Sequence, residues 1–157
     1  MTKSQIAIRP ATLDDVPVLL QFEQGIVATE RPFDPTLKQK DVRYHDIPGI
    51  ISSPDAELVV AVDNGKVIGC GYGKILEAEQ YLRHDLYCYV GLVFVTPEYR
   101  GMGVNKMMLH ALKDWSRSRN IFEMRLEVYD GNGRAKRAYE KEGFVPHMLV
   151  MRTDLSR

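Results

Sequence analysis

The residues best suited to chemistry lie in two stretches. The first, Arg100-Gly101-Met102-Gly103-Val104-Asn105, follows an apolar run closed by Thr96-Pro97-Glu98-Tyr99 and opens a segment of helical period. Glycines at the mouth of a helix let the backbone approach a ligand closely, and the unpaired amides of the first turn, with the helix dipole, favour an anion. The stretch therefore outlines a phosphate cradle, with a plain tight turn as the alternative. The sequence has no G-x-x-x-x-G-K-[ST], so the lysine and magnesium-binding hydroxyl of a P-loop are missing. Nor does a G-x-G-x-x-G join the first strand to the first helix, as a dinucleotide-binding unit requires. The second stretch is Asn132-Gly133-Arg134-Ala135-Lys136-Arg137-Ala138-Tyr139-Glu140-Lys141-Glu142-Gly143-Phe144. On a helix Asn132 and Tyr139 share a face and stand roughly 10 Å apart along the axis, at ~1.5 Å per residue. The small Ala135 between them keeps that face open. Asn132 is equally a good N-cap, and a helical tyrosine is equally a half-buried core residue.

These residues need elements to position them. Gln5-Ile6-Ala7-Ile8-Arg9 alternates polar and apolar side chains as a half-buried strand does, and Pro10 ends it. Thr12 with Asp15 resembles a capping pair for a helix on which Val16, Leu19, Leu20, Glu23, Ile26 and Val27 fall largely on one face. Ala28-Thr29-Glu30-Arg31-Pro32-Phe33-Asp34-Pro35, with its prolines and mixed charges, reads as a loop and a candidate wall of a binding cleft, before a second helix from about Thr36. Residues 57–62 form a strand, Asp63-Asn64-Gly65-Lys66 a hairpin turn, and residues 67–75 the antiparallel return, on which Gly69, Gly71 and Gly73 leave one face bare. A strand over 85–95 precedes the cradle, and Val104, Met107, Met108, Ala111, Leu112 and Trp115 then form a helical stripe. A strand over 122–129 follows, then a helix over about 133–142 that stops at Gly143, and a last strand or pair over 144–153 broken by Pro146. The pattern predicts one α+β domain over residues 1–157, with a mostly antiparallel central sheet flanked by helices.

A chain of 157 residues fits one such domain. Its 21 basic and 21 acidic residues balance to a formal charge of zero, which argues against a protein held to nucleic acid or to an anionic membrane by net charge. No segment approaches the ~20 apolar residues that cross a bilayer, and residues 1–9 lack the features of a signal peptide, so a cytoplasmic protein is expected. Cys70 and Cys88 lie in apolar stretches and read as buried thiols; neither has a paired base that would make it a nucleophile. His45, His84, His110 and His147 are dispersed without ligand spacing, so no metal is expected.

Taken together, the two stretches resemble the signatures of the GNAT superfamily of acyl-CoA-dependent N-acetyltransferases. The cofactor signature [QR]-x-x-G-x-[GA] is met at Arg100 and Gly103 but not at its last position, where Asn105 stands. The second signature, N-x-x-A-x-x-x-Y-E-x-x-G-F, is met by Asn132, Ala135, Tyr139, Glu140, Gly143 and Phe144. The order of strand, two helices and Asn-Gly hairpin extends the resemblance over nearly the whole chain. It implies that the backbone of Gly101, Met102, Gly103, Val104 and Asn105 holds the pyrophosphate of acetyl-CoA, with Arg100 shaping or charging the turn. Asn105 removes no amide from that set. It further implies that the fourth strand splays from the fifth, so that exposed backbone around Val93 and Val95 pairs with the pantetheine arm, with Asn132 toward the arm and Tyr139 reaching the thioester sulfur.

The implied reaction is direct transfer of an acetyl group to a primary amine of a small polar acceptor, in a ternary complex and without metal. Tyr139, with a phenol pKa near ~10, suits the role of acid to a thiolate whose own pKa is near ~8.5. Asp85, Tyr87, Tyr89 and Gly91 alternate on the strand face expected to carry Val93 and Val95, and Tyr89 and Gly91 stand where many relatives place a glutamate. Asp85, acting through water, and Glu30 are then the candidate bases. A non-catalytic acyl-CoA sensor is the alternative; it would keep the cradle but have little need of Tyr139. A homodimer is compatible with an enzyme of this type.

Overall fold

The computed structural model describes residues 5–156. Residues 1–4, part of the stretch read above for a leader, lie outside the described residues. The chain divides into two units, through Glu127 and from Val128 onward. The first carries β1 (Ile6–Pro10), α1 (Val16–Glu30), α2 (Ile47–Ser52), β2 (Ala56–Asp63), β3 (Lys66–Glu77), β4 (Leu86–Val95), α3 (Val104–Ser118) and β5 (Met124–Leu126). Its sheet runs β1-β2-β3-β4-β5, antiparallel throughout except for the parallel β4–β5 pair. A parallel neighbour requires a crossover, which α3 supplies. At the β2–β3 turn Asn64 and Gly65 both hold positive φ, 49° and 79°, the geometry for which Asn-Gly is suited.

The bare face of β3 is where α3 sits. A Cβ on Gly69, Gly71 or Gly73 would come within 3.4 Å of Met108, 3.7 Å of Leu112 and 3.5 Å of Trp115, respectively. On the other face Leu58, Val60, Cys70 and Tyr72 join Leu19 and Phe22 of α1 and Ile47 and Ile50 of α2 in the core.

The helices depart from expectation at their ends. The Asp15 carboxylate accepts the Thr12 N–H at 2.8 Å and pairs with Arg9, so the predicted capping pair forms, at the head of a short 3-10 turn that leads into α1. The helix then runs through Ala28, Thr29 and Glu30, read above as loop; nothing in these residues breaks a helix, and Pro32 acts only in the 3-10 turn beyond. The second helix begins at Ile47 rather than Thr36. Asp34 takes up the Thr36 N–H and hydroxyl in a local turn, whereas Asp46 accepts the Gly49 N–H and is the effective cap. The irregular connection is tied down by α1: fully buried Glu23 accepts the N–H groups of Tyr44 and His45 at 3.2 and 3.0 Å, and the Gln24 amide donates to Val42 O.

β5 has only three residues against the eight expected for 122–129. In the second unit α4 (Gly133–Lys141) begins under the Asn132 side chain, which accepts the Ala135 N–H at 3.2 Å, and is followed by Gly143 at φ 94°. The closing strand expected over 144–153 is not formed. Pro146 cannot donate to a ladder, and Val145, Met148, Leu149, Val150 and Met151 are exposed instead of alternating against a face.

Candidate active site

The site is organised by an irregularity in β4. Tyr72 pairs with Gly91 and Cys70 with Phe94, so Leu92 and Val93 together oppose Gly71 alone. This is a β-bulge, and Leu92 takes the left-handed conformation at φ 51°. The buried Cys70 thiol donates to Leu92 O at 3.1 Å and helps hold the bulge. The bulge corrects one expectation. Cross-strand partners share a face, so Tyr89, Gly91 and Phe94 face α1, with Phe94 5.0 Å from the Phe22 ring. Val93 lies instead with Gly71 on the α3 face, and Val95 with Gly69; neither shares the face of Tyr89.

Beyond the Val90–Leu126 pair β4 has no β5 partner, so its edge is open from Gly91 to Val95. The Thr96 N–H is spent on Ile68 O of β3, and by strand alternation the polar groups of Val95 face the open edge. There Val95 O accepts the Arg100 Nε–H at 3.0 Å, and the guanidinium lies 5.6 Å from the Phe94 ring centre. Gly101 and Gly103 both hold φ near the left-handed region, 77° and 81°. Gly103 is the N-cap of α3 and has no side-chain oxygen to cap it, so the first-turn amides of Val104, Asn105 and Lys106 have no carbonyl below them. Among the described residues, buried Asn105 Oδ1 has no hydrogen-bond partner. Open amides, left-handed glycines and an open strand edge suit a diphosphate joined to an extended arm. The turn leading into this cradle is pinned by the buried Tyr99 hydroxyl, which donates to buried Asp63 at the end of β2.

On the α1 side of β4 the chain gathers aromatic and acidic groups. The Tyr89 hydroxyl donates to Glu127 at 2.8 Å, and the Tyr72 ring lies 6.4 Å from that of Tyr89. The Tyr72 hydroxyl meets His45 Nδ1 at 3.3 Å, with the two rings edge to face at 5.1 Å. Burial raises the Glu30 carboxyl above its ordinary value, and the neighbouring Tyr44 hydroxyl partly opposes this. Burial and the Glu127 charge push the Tyr72 phenol up to about 12, and burial with Glu127 and Glu30 raises Tyr89. Burial lowers His45, which favours its neutral form. Of the two carboxylates singled out from the sequence, Glu30 belongs to this cluster. Asp85 does not: it is exposed just before β4, six residues from Gly91, or about 20 Å at ~3.3 Å per strand residue. His45, Tyr44, Tyr72 and Glu127 escaped the sequence reading. Only Tyr72 left a signal, as the one large side chain between Gly71 and Gly73. In the second unit the Tyr139 ring meets Phe144 edge-on at 5.9 Å, and Asn132 caps the same helix.

The family model of the acetyltransferase (GNAT) family matches residues 22–144. The chain belongs to this family. GNAT membership makes it an acetyltransferase with acetyl-CoA as co-substrate. Solved structures share the GNAT fold at low identity. A mutant of the BH1408 protein from Bacillus halodurans superposes with a TM-score of 0.84 at 17% identity, over 95% of this chain and 99% of that one. A predicted acetyltransferase from Clostridium acetobutylicum, solved with acetyl-CoA, gives 0.71 at 17% identity, over 96% of each chain. An aminoglycoside acetyltransferase from a soil metagenomic sample, in complex with trehalose, gives 0.71 at 15% identity, over 99% and 98%. A search of curated proteins finds no match. Among the described residues no helix is long and apolar enough to cross a membrane.

Proposed function

We propose that this GNAT acetyltransferase transfers the acetyl group to the primary amine of a small, polar, positively charged acceptor, by direct attack in a ternary complex. The observation that carries the reading is the pair of carboxylates, Glu30 and Glu127, that act on Tyr89 beside the open edge of β4. A partly buried carboxylate attracts an ammonium more strongly than an exposed one because less water screens it. The aminoglycoside acetyltransferase of similar fold supports an amine-bearing small acceptor.

In this reading the amides from Gly101 to Asn105, Met102 and Val104 included, hold the diphosphate, and Arg100 orders the turn. The backbone of Val93 and Val95 pairs with the pantetheine arm, and Asn132 lies toward it. Tyr139 gives its proton to the departing thiolate. The whole chain, 1–157, works as one cytoplasmic N-acetyltransferase domain, and Glu30 draws the acceptor in. Thiol release from acetyl-CoA against a panel of amines tests this. Cationic amines should be turned over, and Tyr139→Phe should lower kcat by about 10² to 10⁴-fold with little change in acetyl-CoA affinity. A mutant as fast as wild type, with chemistry rate-limiting, would make Tyr139 structural. A wild type that binds acetyl-CoA but acetylates no amine would end the transferase reading.

A further inference from the structure

The proton that the acceptor must lose has no obvious recipient among the residues singled out from the sequence. Asp85 is remote, and Glu30 is disposed to attract the ammonium. The register puts Tyr72 opposite Gly91, and a Cβ on Gly91 would lie 2.5 Å from the Tyr72 hydroxyl oxygen. The hydroxyl therefore rests directly over the backbone where β4 bulges and leaves β5. Behind it His45 Nδ1 stands at 3.3 Å, and His45 lines a pocket of about 360 Å³ with Tyr44, Asp46, Ser53 and Lys74.

Resting on the transferase reading, we propose that Tyr72 contacts the attacking amine and that His45, through the Tyr72 hydroxyl, receives its proton. The bound ammonium first loses one proton to solvent; as the neutral nitrogen then bonds to the carbonyl carbon and the carbon–sulfur bond breaks, a second N–H proton passes to the Tyr72 oxygen. The proton already on that oxygen moves to His45 Nδ1. The imidazolium then returns its proton to solvent through the pocket, while the thiolate takes one from its own acid. The relay needs a phenol that stays protonated and an imidazole that stays neutral at rest. Burial sets both in that direction. The charged and titratable groups around His45 are Glu23 from α1, Lys74 and Tyr72 from β3, and Arg43, Tyr44 and Asp46 from its own segment. Glu23 opposes the effect of burial and Lys74 adds to it. Glu23 also grips the His45 N–H at 3.0 Å, which fixes the ring's backbone.

The test is kcat against pH, by thiol release with the best amine and saturating acetyl-CoA, for wild type, His45→Asn, Tyr72→Phe and Glu30→Gln. Asn keeps an oxygen that accepts from Tyr72 but cannot take a proton at neutral pH. His45→Asn should lose about 10² to 10⁴-fold in kcat, with KM nearly constant, and should lose the limb that rises through the His45 pKa below 6.5. Tyr72→Phe should show the same two losses. Wild-type kcat and profile in His45→Asn would overturn the relay, as would loss of that limb in Glu30→Gln alone. If His45→Asn does not fold, a folded Tyr72→Phe with wild-type kcat overturns it equally. Amine-dependent turnover by wild type separates these outcomes from failure of the transferase reading, which would show as none at all and would take the relay with it.

Discussion

Glu30 illustrates a conflict between stability and function at the scale of one residue. Its folded pKa is raised by burial, so its neutral form is favoured in the native state. The sign follows: its contribution to stability is fully present below its ordinary value near 4.5 and is lost as pH rises through the folded value. At neutral pH the carboxylate is therefore held at a cost. Glu30→Gln should melt at or above the wild-type temperature at pH 7, and the difference should close near pH 4. The same variant should lower kcat/KM for a cationic amine through KM. A variant with a lower melting temperature at pH 7 and unchanged KM would show that the carboxylate serves packing only. Cys70 is a second case: with a buried thiol raised well above its ordinary pKa, it supplies a hydrogen bond to the bulge rather than a nucleophile.

At the scale of elements, the start of α1 rests on Asp15. Its carboxylate takes two guanidinium contacts from Arg9, at 2.8 and 3.0 Å, and the Thr12 N–H. Arg9 lies on β1, so the pair joins the first strand to the first helix. The Arg9 guanidinium holds Asp15 below its ordinary pKa, with the Thr12 N–H adding to the effect. Its contribution is therefore present above about pH 4 and lost as pH falls through the depressed folded value. Asp15→Asn should cost roughly 1–2 kcal/mol at pH 7, and urea titrations should show that gap shrinking below pH 4. A gap independent of pH would mean that the side chain acts by shape rather than charge. The connection after α1 shows the same dependence on buried polar groups. A hydrophobic pattern does not reveal Glu23 as its anchor, because the partners are backbone amides more than twenty positions away, at Tyr44 and His45.

Across the first unit as a whole, the cradle is anchored by a contact between distant parts of the chain. The Tyr99 hydroxyl donates to Asp63, 36 positions earlier in sequence. That hydrogen bond first, with burial and the Asp63 and Glu98 charges, pushes the phenol up to about 12. The stabilising contribution is complete below the unfolded value of ~10 and is lost as pH rises from there through about 12. Tyr99→Phe should therefore melt below wild type at pH 8, and the difference should narrow by pH 11. Equal melting at pH 8 would show that Asp63 finds another donor. Acetyl-CoA affinity at pH 8 should fall with the loosened turn, which calorimetry on the folded variant would measure.

Local pattern in the chain placed most of the sheet, the long crossover helix and the glycine turn before it. Alternation, the Asn-Gly turn and the helical stripe from Val104 place β1 to β4 and α3 to within a few residues, because each is a local periodicity backed by local turn chemistry. The turn that would form the cradle was legible for the same reason: the glycines needed for left-handed backbone, Gly101 and Gly103, stand either side of Met102. Features that depend on pairing register or on distant partners emerge only in the folded chain. The bulge at Leu92 arises from the match of β4 to β3, and one inserted residue reverses the faces of Val93 and Val95. The Glu30–Tyr44–Tyr72–Tyr89–Glu127 cluster with His45 draws on α1, the connection after it, β3, β4 and the end of β5. Residues from five separate segments carry no common spacing, so no pattern along the chain could have gathered them before the sheet did.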